Sequence, residues 1–308
     1  TYPYILPDTG HKFVFMQSVN LEQKQNNWHG TFSAMASPCE VIIETDDGDE
    51  AETIVKAVAA EAWRIEKKFS RYRDDNITFK INNSNGDVIE VDAETARLLD
   101  FSDQLFHMSD GMFDVTSGVL RKAWRFDQSD NIPAQHQIDE LLAVIGWDKV
   151  SWNNPELELA PGMEIDLGGL GKEYAVDRCA QLVREISTAS VLINLGGDIS
   201  ITQSRKDGTR WTIGRISSDP SAPVGVIKLK QGALATSGDE HRFLEKDGKR
   251  YCHILNPKTG WPVEDTPHTV SVAAPTCIEA GMLSTFALLQ GNKAEEFLKA
   301  QEVPYWLN

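Results

Sequence analysis

The feature of this sequence that most limits its fold is the irregular order of its helical and strand-like segments. Apolar residues at spacings of three and four predict helices over residues 54–69 and 171–186. Residues 191–193 are a short buried strand, and residues 211–275 alternate between strand-like segments and turns with glycine or aspartate. Because no regular strand–helix–strand repeat is present, the sequence predicts an α+β fold.

The length of 308 residues allows one large domain or two medium ones. No linker rich in proline, glycine and serine divides the chain. Residues 1–28 are polar and irregular in pattern, so we predict an N-terminal arm there and one elaborate domain over residues 29–308.

Net charge argues against one class of partner, and hydropathy argues against one class of protein. The net charge of −16 argues against a nucleic-acid partner, because a phosphate backbone requires a basic surface. No run approaches the roughly 18 apolar residues that a membrane-spanning helix needs, so an integral membrane protein is not expected.

Three glycines interrupt the stretch DLGGLGKEYAVD, residues 166–177, between a strand end and a helix. Glycine allows close approach of a ligand to the backbone, and a helix start offers N–H groups to an anion. A Walker A loop is excluded, because Asp166 replaces its first glycine and Glu173 replaces its serine or threonine. The order of the glycines also excludes a dinucleotide fingerprint. The stretch is either a ligand site or a structural turn.

Other segments allow the same two interpretations. NLGGD (194–198), ATSGD (235–239) and HILNPKTG (253–260) contain turn residues that also suit phosphate or ribose contacts. His253 is either structural or a proton-transfer group. The aromatic residues of FSRYR (69–73) and GMFDVTSGVL (111–120) either pack in the core or stack on a flavin or adenine ring.

In order and approximate spacing, these segments resemble the ApbE-type FAD:protein FMN transferases. The resemblance runs from about Phe32 to Gly291 and also includes the segment LSTFALLQG. The patterns D-L-G-G-x-x-K-x-Y-A-x-D and H-I-x-D/N-P-x-T-G are specific to this family when they occur together.

The resemblance implies an α+β domain with a deep FAD-binding cleft. It also implies transfer of FMN from FAD to a threonine or serine hydroxyl of an acceptor flavoprotein, with release of AMP and participation of Mg²⁺. A metal that neutralises the diphosphate agrees with the general chemistry of phosphoryl transfer. The family further suggests a bacterial, periplasmic protein that is lipid-anchored before processing.

Site residues follow from the resemblance position by position. It implies a catalytic role for His253 and metal ligands at Gly169, through its carbonyl, and Thr285. The implied FAD contacts are Met35, Tyr72, Met112, Phe113, Asp114, Asp166, Lys172 and Ile254.

Two positions depart from the family pattern. Gly281 stands where the family has a metal-binding aspartate, and Asn256 replaces the usual aspartate before Pro257. Because Mg²⁺ prefers oxygen ligands that include carboxylates, Gly281 predicts a weakened site, with little metal bound before FAD. It also predicts that Gly281→Asp strengthens metal binding. An FAD-binding or flavin-delivery protein without turnover, and a metal-dependent FAD pyrophosphatase, remain alternatives to the transferase.

Overall fold

The computed structural model describes residues 17–25, 27–127, 129–214, 225–238 and 243–308. The helices are α1 (Gly48–Phe69), α2 (Ile77–Asn82), α3 (Ala93–Met108), α4 (Gln135–Leu142), α5 (Gly171–Ile186), α6 (Cys277–Leu289) and α7 (Ala294–Ala300). Short 3-10 helices cover Val115–Lys122, Trp147–Lys149, Leu167–Gly169 and Gly291–Lys293. The strands are β1 (Asn20–Lys24), β2 (Asn27–Ala34), β3 (Ser37–Glu44), β4 (Ile89–Glu90), β5 (Ser151–Asn153), β6 (Glu156–Glu158), β7 (Ser190–Leu195), β8 (Asp198–Ile201), β9 (Trp211–Gly214), β10 (Val226–Leu229), β11 (Gly232–Gly238), β12 (Phe243–Lys246), β13 (Lys249–Cys252), β14 (Thr269–Ala274) and β15 (Tyr305–Leu307).

One eight-stranded sheet organises the fold, with the strand order β1-β2-β3-β7-β8-β11-β14-β15. All neighbouring pairs in this sheet are antiparallel. The predicted α+β class is confirmed, since a parallel sheet with regular crossover helices is not what the chain builds.

Helices α1, α5 and α6 pack together on one side of the sheet. The apolar residues that predicted α1 are all buried, namely Ile54, Val58, Ala62, Ile65 and Phe69. A smaller apolar cluster includes Trp211, Ile213 and Ile227 of the paired strands β9 and β10, packed with residues of β7, β8 and β11. Apolar layers therefore bury the central strands on both faces.

The N-terminal segment requires a correction. The irregular arm predicted over residues 1–28 is wrong for Asn20–Lys24, which form β1, and for residues 27–28, which begin β2. Strand β1 is an edge strand with mostly exposed side chains, so its polar residues are compatible with pairing and carry no apolar alternation. Residues 1–16 lie outside the described residues.

None of the helices in the described part of the chain combines the length and the apolar character that crossing a membrane requires.

A charged cluster links α1, α3 and α5 through Glu94. Its carboxylate accepts hydrogen bonds from Arg64 Nη2 at 2.7 Å, Lys68 Nζ at 2.7 Å and Tyr174 Oη at 2.7 Å. The hydrogen bond from Arg64, together with Lys68 and Tyr174, holds the pKa of Glu94 well below its usual range. Only 14% of this side chain is exposed, so the cluster is better shielded than an ordinary surface pair.

We therefore expect Glu94→Gln to lower the free energy of unfolding by about 1–3 kcal/mol at neutral pH. A carboxyl whose pKa is depressed by folding stabilises the protein above its unfolded value near 4.5. The difference in the free energy of unfolding between Glu94→Gln and wild type should therefore shrink as the pH falls below that value. Urea unfolding at several pH values measures this. Glu52→Gln, which removes an exposed pair with Lys56, is the control and should change stability by less than about 1 kcal/mol.

Candidate active site

Asp166 joins three of the segments that the sequence singled out. Its carboxylate accepts the Gly168 N–H at 2.9 Å and is paired with Arg71. Its backbone N–H donates to Val115 O at 2.8 Å. A β-carbon at Gly118 would collide with the side chain of Asp166, so glycine is required for this approach. The structure thus brings FSRYR, GMFDVTSGVL and DLGGLGKEYAVD to one place.

Tyr72 presents an aromatic ring beside Asp166. Arg71 Nη2 donates to Tyr72 Oη at 2.8 Å, and its guanidinium lies over the ring, 4.9 Å from the centroid. Tyr72 is nevertheless 82% exposed. With one face on Arg71 and most of its surface open, the ring can stack on a flat ligand.

The segment around Asp114 is partly structural. The buried carboxylate of Asp114 accepts Thr116 N–H at 2.8 Å and Trp147 N–H at 3.1 Å, and its burial raises its pKa. Phe113 lies 6.1 Å from Phe286 between ring centroids, and it would be 3.5 Å from a β-carbon at Gly169. Met112 is half-buried against the main core. Asp114 therefore holds the segment in place, while Phe113 connects Gly169 to α6.

Helix α6 brings a group of hydroxyls to β11. Ser237 Oγ lies 2.8 Å from Ser284 Oγ and 3.1 Å from Thr285 Oγ1, and Ser284 Oγ donates to Gly281 O at 3.0 Å. The start of α6 is fixed by Asp177 of α5, which accepts the Cys277 N–H at 2.7 Å and the Ile278 N–H at 2.9 Å. The predicted metal ligand Thr285 therefore lies in a polar patch positioned by the glycine-rich motif. Asp239 of ATSGD lies outside the described residues.

Two carboxylates lie near this patch. Asp198 is 4% exposed and pairs with Lys172, 3.3 Å from Asp198 Oδ2 to Lys172 Nζ. Glu173 is 9% exposed, and its Oε2 has no hydrogen-bond partner among the described residues. Burial and then the negative charge of Asp198 raise the pKa of Glu173. A β-carbon at Gly281 would lie 2.6 Å from Glu173 Cγ.

His253 and Ile254 follow β13. The His253 ring lies edge-on to Phe126, with 6.3 Å between centroids, and Ile254 packs against the main core. Ile254 O accepts the Val263 N–H at 2.9 Å. The structure places these two residues in a loop beside a third apolar cluster that includes Trp124.

The NPKTG segment forms a tight turn. Asn256 Oδ1 accepts the Lys258 N–H at 2.9 Å, and the Gly260 N–H donates to Asn256 O at 2.8 Å. Gly260 has φ +71°, which favours glycine. An aspartate at position 256 would accept the same hydrogen bond, so Asn256 preserves the turn.

Met35 lies in the turn of the β2–β3 hairpin. Met35 and Ala36 have φ values of +52° and +55°. The NLGGD segment turns between β7 and β8 through Gly196 and Gly197, at φ +68° and +103°. The Gly196 N–H donates to Pro38 O at 3.1 Å, so the two hairpin turns lie side by side at one end of the sheet.

Two cavities among the described residues lie largely apart from the predicted site residues. One of about 510 Å³ is lined by residues that include Gly111, Asp114 and Lys258. The other, of about 350 Å³, is lined by sheet residues that include Asn194 and Thr236. Of the predicted site residues, Asp114 alone lines either of these two cavities.

Sequence reasoning did not select four residues that the structure adds to the site: Arg71, Glu173, Asp198 and Ser237. All four lie inside the quoted motifs, but their partners are distant in sequence. Among the residues that the structure describes, no group of three His, Cys, Asp or Glu side chains could hold a metal ion. A metal here would therefore need hydroxyl and carbonyl oxygens in addition to carboxylates.

Comparison with known proteins gives a consistent result. The model of the ApbE family matches residues 35–307. The FAD:protein FMN transferase of Haemophilus influenzae is 28% identical over 84% of this chain and 77% of its own length. That of Chlamydia pneumoniae is 30% identical over 72% of this chain and 71% of its own length. The crystal structure of an ApbE protein from Thermotoga maritima superimposes with a TM-score of 0.82 at 29% identity, covering 91% of this chain and 94% of that one.

Proposed function

Because the chain belongs to the ApbE family, we propose that it is an FAD:protein FMN transferase. It moves FMN from FAD to a threonine or serine hydroxyl of an acceptor flavoprotein and releases AMP. The observation that carries this proposal is the convergence of FSRYR, GMFDVTSGVL and DLGGLGKEYAVD on Asp166. Relatives that match most of this chain are named for the same activity.

The residues at this convergence suit an aromatic ring and the diphosphate of FAD. Tyr72 offers an exposed ring for the isoalloxazine or the adenine. The start of the 16-residue α5 offers backbone N–H groups to the diphosphate, and nothing lies within 4 Å of a β-carbon placed at Gly171. Lys172 adds positive charge in the first turn of the same helix.

We expect Tyr72→Ala to weaken FAD binding by about 1–3 kcal/mol, because the stacking surface is lost. Calorimetric titration with FAD measures the change. Tyr72→Phe is the matched control, since it keeps the ring and removes only the hydrogen bond from Arg71. Equal affinity of Tyr72→Ala and wild type would remove Tyr72 from the FAD site.

Mg²⁺ is part of the proposal. The residues that would hold it are Thr285, through its hydroxyl, and Gly169, through its carbonyl. Ser237 and Glu173 offer further oxygen ligands. This set consists of hard oxygen ligands and includes an orphaned buried carboxylate oxygen, which suits Mg²⁺. When bound, the ion neutralises charge on the diphosphate.

In the proposed transfer, the acceptor hydroxyl oxygen attacks the phosphorus atom on the FMN side of the diphosphate. The bond from that phosphorus to the bridging oxygen breaks, and AMP leaves with the bridging oxygen. His253 accepts the proton of the acceptor hydroxyl. Atoms balance as FAD plus acceptor–OH giving acceptor–FMN plus AMP and one proton.

The test is to incubate the purified protein with FAD and Mg²⁺ and to follow AMP, with and without an acceptor domain. Transfer predicts AMP release that depends on the acceptor and equals the covalent flavin formed. Acceptor-independent release of AMP and free FMN would instead identify a pyrophosphatase. Saturable FAD binding without AMP would identify a flavin-binding or delivery protein.

We further propose that the reaction takes place in the periplasm of a bacterium, after processing of a lipid-anchored precursor, as the family resemblance suggests. Cell fractionation of the native host with an antibody to this chain tests the compartment. Recovery with cytosolic markers alone would contradict it.

A further inference from the structure

We propose that Glu173, on α5, supplies the metal-binding carboxylate that α6 lacks at Gly281. This inference rests on the proposed function, because it concerns the Mg²⁺ that accompanies FAD. It replaces the prediction that Gly281 leaves the metal site short of charge.

The space at Gly281 is already occupied by a carboxylate. A β-carbon at position 281 would lie 2.6 Å from Glu173 Cγ, 2.9 Å from Oε1 and 3.1 Å from Cδ. Real β-carbons do not approach other atoms so closely, and the neighbour here is the stem of a buried side chain. An acidic side chain at 281 and Glu173 in its present position therefore exclude each other. The space at Gly281 therefore has room for one carboxylate, and this chain provides it from α5.

Glu173 has an oxygen that the protein itself does not satisfy. The residue is 91% buried, and Oε2 has no hydrogen-bond partner among the described residues. A buried carboxylate oxygen without a donor is unfavourable, so such an atom calls for a ligand. An ionised carboxylate only accepts hydrogen bonds, so a cation is a ligand that suits the ionised form of Glu173.

Other oxygen atoms that could bind a cation lie on α6 and on β11. Ser284, three residues after Gly281 on α6, is hydrogen-bonded to Gly281 O, and Ser237 connects Ser284 with Thr285. Asp198 lies close enough for its charge to act on Glu173, and it is itself paired with Lys172. A divalent cation that prefers oxygen ligands matches this set, whereas softer metals prefer nitrogen and sulfur.

The test compares Mn²⁺ binding, by electron paramagnetic resonance without FAD, for five proteins. Wild type should bind one Mn²⁺, and Glu173→Gln should bind it roughly 10-fold or more weakly. Gly281→Asp alone should not tighten binding and should lower the melting temperature, because the new side chain meets Glu173. The double variant Glu173→Gly/Gly281→Asp should restore binding. Glu279→Gln, on the same helix, is the control and should bind like wild type.

The rise in melting temperature on adding Mn²⁺ gives a second readout and reveals whether each variant is folded. The proposal is overturned if Glu173→Gln binds Mn²⁺ like wild type, if wild type binds none without FAD, or if Gly281→Asp alone tightens binding. Mn²⁺ bound through Glu173 without any FMN transfer would contradict the proposed function and leave this assignment standing. FMN transfer by Glu173→Gln with unchanged Mn²⁺ affinity would contradict this assignment and leave the proposed function standing.

Discussion

Replacing His253 by alanine is expected to slow FMN transfer by roughly 10²–10⁴-fold, while FAD affinity changes little. The reason is that the acceptor hydroxyl must lose its proton as it attacks phosphorus, and an imidazole titrates near neutral pH. The measurement is the initial rate of covalent flavin formation at saturating FAD and Mg²⁺, with FAD affinity determined in parallel by calorimetry.

The control is His136→Ala, which removes an exposed histidine from α4 and should leave the rate unchanged. The ring of His253 also contacts Phe126, so a structural role is the competing explanation. A His253→Ala protein with the wild-type rate, or one that loses rate and FAD affinity together with stability, would assign His253 to packing.

Replacing Asp177 by alanine is expected to lower the free energy of unfolding by about 2–4 kcal/mol, because two hydrogen bonds to a charged acceptor are lost. The backbone N–H groups of Cys277 and Ile278 would then lack their acceptor at the start of α6. Since α6 carries Ser284 and Thr285, Mn²⁺ affinity should fall as well. Urea unfolding and Mn²⁺ titration measure the two effects.

Asp47→Ala is the matched control, because Asp47 caps α1 with a side chain that accepts from Asp49 and Glu50. Asp47→Ala should lower the free energy of unfolding by about 1 kcal/mol, as the loss of an ordinary helix cap does, and should leave metal binding unchanged. If the two variants lose equal free energy of unfolding and both keep the wild-type Mn²⁺ affinity, Asp177 is only a helix cap and does not position the site.

The helices were predictable because their burial follows local spacing. Gly171–Ile186 forms a helix over the predicted range, and the apolar residues that predicted α1 face the core. Strand β1 was missed, because an edge strand with exposed polar side chains has no apolar alternation.

The segments of the site were predictable from motif order, but the contacts between them were not. Arg71 and Asp166 are 95 residues apart, and Glu173 and Gly281 meet only when α5 packs on α6. Gly281 alone suggests a lost carboxylate. The structure shows instead that the carboxylate of Glu173 occupies the space at Gly281.

The most direct measurement of the proposed activity is mass spectrometry of an acceptor. This chain, FAD and Mg²⁺ would be incubated with the soluble domain of a membrane flavoprotein that carries covalent FMN on a threonine, purified without its flavin. The proposal predicts a mass increase by one FMN on that threonine, one AMP released per FMN attached, and neither product when the threonine is replaced by alanine. An unmodified acceptor, with FAD bound intact or split into free FMN and AMP, would contradict it.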